Sequence, residues 1–313
     1  MSPLSLSRAQ RWALVLAATF TMTISYVDRQ TLSVLAPVVT RELHISEQGY
    51  GWLASAFSVA YLVGAPLAGA WIDRVGARRG LLAAVLGWTA VAGLHALAPG
   101  FAALFALRVA LGFAESPSFP GAAQTVTRAL SRADRARGLG VLFTGSSIGA
   151  MLVPPLATWL MREFSWRAAF LGTALAGLVW VPVWLTVAWS RGAREVIDRP
   201  PEVTPDEIPR GSTRTVLAHP AMLRALVLVV ASAPPLAFLL LWSAKYLVQT
   251  CGVAQVNVGR YLWFPPLVYD LGSVAFGHLS SVRARRNRYD GSPDRALVAV
   301  AAALTACIGL LAF

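Results

Sequence analysis

Tyr26-Val27-Asp28-Arg29-Gln30-Thr31 sets an acid beside a base inside a long apolar segment that begins near Trp12 and ends near Ala36. A charged side chain at the centre of a bilayer costs roughly 2.5–3.5 kcal/mol on insertion scales, so charges kept there mark functional sites by default. The alternative is that both groups snorkel to the headgroups from the end of the segment. At a rise of about 1.5 Å per residue Asp28 sits about 12 Å short of Ala36, which favours an interior position. Consecutive helical residues diverge by about 100°, so Asp28 and Arg29 must serve different contacts.

The surrounding chain supports a bilayer setting. Its 313 residues are 56% apolar and only 13% charged, with mean hydropathy +0.59, the composition of an all-α polytopic membrane protein rather than a soluble domain. Lys and Arg together number 27 against 15 Asp and Glu, and Lys245 is the sole lysine. The arginines explain themselves by position. Arg8 and Arg11, Arg74 with Arg78 and Arg79, Arg128 to Arg137, Arg191 to Arg224 and Arg283 to Arg295 all fall between apolar segments on one side. The positive-inside rule then places the N-terminus in the cytoplasm of a multi-pass protein of the inner (plasma) membrane, and no nucleic-acid partner is needed to account for the charge. Cys251 and Cys307 are too isolated for a disulfide framework. His44, His95, His219 and His278 form no HExxH, and no nucleophile elbow is present, so no enzyme, metal or cofactor is expected.

Spans of about 20 apolar residues fall at roughly 12–36, 49–72, 80–99, 101–126, 138–161, 167–190, 222–247, 259–282 and 295–313. Residues 191–220 carry Pro200, Pro201, Pro205 and Pro209 among acidic residues and read as a cytoplasmic linker. The expected organisation is a six-helix bundle over 1–190, the linker over 191–220, and the first helices of a second bundle over 221–313. Gly69 to Arg79 and Gly277 to Arg286 are similar closing sequences, which suits two parallel repeats with a site between them near the midplane.

The run Gly69-x3-Asp73-Arg74-x-Gly76-x-Arg78-Arg79 resembles the signature between helices two and three of the major facilitator superfamily. Five further stretches resemble its anion:cation symporters, most closely the hexuronate and related sugar-acid transporters: Tyr26 to Thr31, Arg108-x3-Gly112-x2-Glu115-x3-Phe119-Pro120, Gly145 to Pro155, Ser165-Trp166-Arg167-x2-Phe170, and Trp263-Phe264-Pro265-x4-Asp270-Leu271-Gly272. The resemblance implies a monomeric secondary transporter taking a small organic anion, a hexuronate or aldonate, with a proton. It also implies twelve helices, so a chain ending within the ninth is expected to hold an incomplete second bundle, and a non-transporting fragment or an exporter of another small molecule is the alternative.

Arg29 is the candidate for the substrate carboxylate, because a guanidinium grips a carboxylate bidentately and stays charged away from water. The resemblance points to the same arginine and adds Tyr61 as a substrate-facing tyrosine. Ser146, in a run of small residues, either faces the sugar or lets helices approach closely. Asp28 and Glu115 are the candidate proton carriers, although a structural ion pair would use the same residues. Glu115 lies seven residues after Arg108 and returns to the same helical face. Arg108 lies at a depth close to that of Asp28, so an Asp28–Arg108 pair is geometrically possible. Asp73 and Arg74 read as gating residues, which in the family meet helix eleven. Lys245 either snorkels or attracts anions, and Asp270 reads as a structural acceptor.

Overall fold

The computed structural model describes residues 6–198 and 220–272, which are almost entirely helical with no strand among them. The helices are α1 (Arg8–Glu42), α2 (Glu47–Val75), α3 (Ala77–Leu94), α4 (Phe101–Glu115), α5 (Ser118–Ala129), α6 (Arg132–Glu163), α7 (Trp166–Leu178), α8 (Trp180–Ala188), α9 (Arg191–Ile197), α10 (Pro220–Ala237), α11 (Ser243–Gln249) and α12 (Gly259–Leu262). A π turn, Phe238–Trp242, joins α10 to α11. By packing, Met1–Phe264 form one unit and Pro265–Phe313 another; of the second only residues 265–272 are described, and they are helical. Most of the linker and the whole of the helix expected at 295–313 lie outside the described residues.

Among the described residues four helices are long and apolar enough to cross a membrane by length and composition alone: Glu47–Val75, Ala77–Leu97, Arg137–Glu163 and Trp166–Ala188. Their outward faces are oily: Leu62 is 72% exposed and Leu67 66%. α1 is organised the other way round. It is buried along most of its length and carries Thr19, Thr21, Thr23, Ser25, Asp28, Gln30, Thr31 and Ser33 into the interior. Thr21, Thr23 and Thr31 each donate to the carbonyl four residues back, so hydroxyls are satisfied within the helix and need no water. At 35 residues, α1 is about 52 Å long, well beyond a hydrocarbon core of about 30 Å, and both its ends must project.

Small residues set the closest crossings. A Cβ at Gly145 or Gly149 of α6 would lie within 2.5 Å of the Thr19 or Thr23 carbonyl of α1, and one at Gly112 of α4 would lie 2.5 Å from the Phe57 carbonyl of α2. Prolines set the interruptions. The single span expected at 101–126 is two helices, because Pro117 lacks the N–H that would continue α4 and clashes with the preceding turn. The π turn begins three residues after Pro235, where the ladder has already lost two donors. The short α9 was not expected.

Candidate functional site

Asp28 and Arg29 do point different ways, and they enter different environments. Arg29 turns toward α4. Its Nη2 lies 3.2 Å and its Nε 3.3 Å from Oε2 of Glu115, which is fully buried, and Ser25 Oγ donates to the same oxygen at 2.9 Å. The guanidinium is caged by the rings of Tyr26, Phe57 and Tyr61, each 4.7–4.9 Å from its central carbon. Cation–π contacts of this kind contribute about 0.5–2 kcal/mol each, so the cage and the pair hold one rotamer together.

Asp28 instead sits against α3 and the Gly177 region of α7, 2% exposed, and neither of its oxygens has a hydrogen-bond partner. Trp88 and Thr89 of α3 are its polar neighbours. The Asp28–Arg108 pair is therefore not formed. Arg108, 3% exposed, donates through Nε to His95 Nε2 at 3.2 Å and through Nη1 to the Arg29 backbone carbonyl at 3.3 Å. The reason is the 100° step: once Arg29 faces α4, Asp28 is carried round toward α3 and α7. The relation between Arg108 and Glu115 holds, since both reach Arg29 from one face of α4.

Arg29 and Arg108 line one wall of a cavity of about 250 Å³, with Tyr26, Gln30 and Ser33 from α1, Tyr50 and Phe57 from α2, and residues from Ala233 to Leu241 on the other side; Glu115, Asp28 and His95 lie behind that wall. That is close to the smallest sites that hold small ligands, roughly 300 Å³. Tyr61 reaches this region through its ring, over Arg29 and stacked on Phe57 at 6.0 Å. Ser146 is half-buried beside Gly145 and is not among the residues lining the cavity.

At the end of the bundle where α1 finishes and α2 begins, a seam joins α2 to α11. Lys245, 1% exposed, lies 2.5 Å from Glu47 Oε1, Gln249 donates to the same oxygen at 2.9 Å, and Tyr50 donates to the Leu241 carbonyl while meeting Trp242 edge to face at 5.0 Å. Lys245 does not snorkel; it is packed over the Tyr50 ring at 5.1 Å. Gln255 Nε2 also donates to the Val34 carbonyl of α1 at 2.8 Å. Nearby, Glu42 accepts from Arg167 at 2.6 Å and from Trp166 at 2.7 Å, and these donors hold its carboxyl below the usual carboxylate range.

The opposite, Arg-rich end is arranged differently. Gly76, at φ +84°, turns α2 into α3, a left-handed backbone that suits glycine. Asp73 is exposed and accepts from Gln124 of α5 at 2.8 Å, and Arg74 is exposed beside it. Arg78 grips Asp198 just past α9 at 2.9 and 2.5 Å and lies over the Trp189 ring at 4.6 Å. The gating candidates are thus placed on the surface, with α9 clamped next to them by a residue of the same motif.

The Major Facilitator Superfamily model matches residues 18–313. The chain belongs to this superfamily. It is 26% identical to the hexuronate transporter of Escherichia coli K12 over 287 residues, which is 86% of this chain and 65% of that protein. It is 26% identical to the galacturonate transporter of Dickeya chrysanthemi over 304 residues, or 94% of this chain and 88% of that one. The chain spans just under two thirds of the length of the Escherichia coli relative. The crystal structure of a bacterial homologue of the human lysosomal transporter Spinster superposes with TM-score 0.66 at 22% identity, over 90% of this chain and 64% of that one, a likeness of fold. These relatives are transporters, which agrees with the expectation that the chain is not an enzyme.

Proposed function

We propose that this facilitator protein moves a sugar-acid anion, a hexuronate or aldonate, together with a proton by alternating access across the inner membrane, with its N-terminus cytoplasmic. The observation that carries the reading is Arg29, caged by aromatic rings at the wall of a cavity and paired behind that wall with the buried Glu115, in a chain whose relatives are named for hexuronate and galacturonate transport. Replacing such a pair by apolar groups is often neutral or stabilising, so its retention favours a working role.

The pair suits exchange of partners. While Glu115 is ionised it occupies Arg29; a proton on Glu115 removes the opposing charge and frees the guanidinium for a carboxylate of the substrate. Anion and proton then bind together, and loss of the proton on the inner side returns Arg29 to Glu115 and expels the anion. Asp28, the second carrier candidate, has no cation bonded to it and is placed to take a proton without competing for substrate. Tyr61 fixes the guanidinium and Ser146 serves helix approach or the sugar. Lys245–Glu47 closes the far end in this conformation, and Asp73 with Arg74 acts at the Arg-rich end, so opening one seam while closing the other completes the cycle.

The test is uptake of labelled galacturonate, glucuronate and galactonate into proteoliposomes with and without an imposed pH gradient. The expected result is accumulation only with the gradient. Uptake that ignores the gradient would remove the proton from the scheme, and no uptake of any of the three acids would remove the substrate class.

A further inference from the structure

Asp28, Trp88 and Thr89 make a buried polar cluster on the packed side of α1. Asp28 is 2% exposed, Thr89 7% and Trp88 fully buried. Among the described residues none of the Asp28 oxygens, Trp88 Nε1 or Thr89 Oγ1 has a hydrogen-bond partner. Thr89 departs from the habit of other buried threonines: Thr31, Thr125 and Thr173 each donate to the carbonyl four residues back, and the Thr89 hydroxyl does not.

Gly177 of α7 shows where these groups meet. A Cβ there would lie 3.2 Å from Thr89 Oγ1 and 3.8 Å from Asp28 Oδ2, with no third atom beyond its own stretch of α7 within 4 Å. Trp88 adjoins the same carboxyl group. Buried polar groups are expected to be paired, so three that converge on one point call for a common partner.

The chemistry of the three groups identifies that partner. An indole N–H can only donate, which opposes a cation, and a carboxyl oxygen opposes an anion. Water answers all three: its lone pairs accept from Trp88 Nε1–H and Thr89 Oγ1–H, and one of its hydrogens goes to Asp28 Oδ2. Buried waters typically make about three hydrogen bonds, the number offered here.

We propose that one water is bound in front of Gly177, between Trp88, Thr89 and Asp28, and that Trp88 and Thr89 position the Asp28 carboxyl group through it. Glycine stands at 177 because a Cβ would crowd that water out. The charged groups acting on Asp28 are Glu115 and Arg108 of α4, and neither is bonded to Trp88 or Thr89. That the positioned group carries a proton rests on the function proposed above; the water site does not.

The experiment is infrared difference spectroscopy of the purified full chain, with Asp28→Asn identifying the Asp28 carboxyl band and heavy-oxygen water marking the bound water. The expected result is an isotope-sensitive O–H band that disappears in Gly177→Ala. The Asp28 band rises in frequency in Gly177→Ala, Thr89→Val and Trp88→Phe as hydrogen bonding to it weakens, and Thr89→Ser, which keeps the hydroxyl, leaves it in place. If Gly177→Ala does not fold, the contrast between Thr89→Val and Thr89→Ser carries the test. An Asp28 band at one frequency in all the variants would overturn the positioning role, and a band that moves without any isotope-sensitive companion would overturn the water. Both readouts are taken without substrate or pH gradient, so they decide the site independently of the transport scheme.

Discussion

Glu115 and Asp28 are two carboxylates buried in the same bundle, 0% and 2% exposed, and they are treated in opposite ways. Glu115 receives Ser25 and Arg29 on one oxygen, behind the Arg29 that lines a cavity, whereas Asp28 has no hydrogen-bond partner on either oxygen and faces the packed side of α1. Burial alone therefore does not define a site here; what separates the two is one step of helical rotation and the partner found at the end of it. The first position has its cationic partner beside it, and the second has none bonded to it.

The comparison breaks most visibly at Glu115. Glu115→Ala leaves Arg29 charged and caged without a counter-ion and is expected to cost about 3–5 kcal/mol, read as a fall in thermal unfolding temperature in detergent. Asp28→Asn should change stability by no more than about 1 kcal/mol, because it keeps the size of the side chain and breaks no ion pair. Equal losses at the two positions would erase the contrast. Lys245→Met at the far seam is expected to cost up to about 1 kcal/mol, since its partner Glu47 is 55% exposed and screened by solvent.

The smallest effect belongs to Glu42, which is on the surface and serves as a reference for a carboxylate that is paired but wet. Its folded pKa is below the unfolded value of about 4.3, so its contribution is fully present above that value and fades as pH falls through the lowered one. Comparing acid unfolding of the unmodified protein with Glu42→Gln should show a difference that is full above the unfolded value, shrinks as pH falls through the lowered one, and is absent below it.

The helical architecture was legible from apolar segments and arginine placement because both follow directly from the energetics of the bilayer. The divergence of Asp28 and Arg29 was legible too, since it needs only the helical period. Which of the two would meet α4 was not, because rotation about the helix axis follows packing against another helix, at Gly145 and Gly149, between about one and three turns from Arg29 toward the helix start. His95 passed as one histidine among four; its role depends on α4 bringing Arg108 alongside, a contact between residues thirteen apart across a turn. The partner of Lys245 has no local signal, because its ion pair joins residues 198 apart in sequence. The break at Pro117 had a local signal in the proline itself. α9 is short, capped by Ser190, and held in place by Arg78 and Arg128 and by the burial of Ala193 and Ile197.

The most direct measurement is transport by Glu115→Gln, which keeps the shape of the side chain and removes its charge. In proteoliposomes preloaded with galacturonate, the account predicts that this variant exchanges labelled galacturonate across the membrane but does not accumulate it under a pH gradient. Gradient-driven accumulation equal to that of the unmodified protein would contradict it.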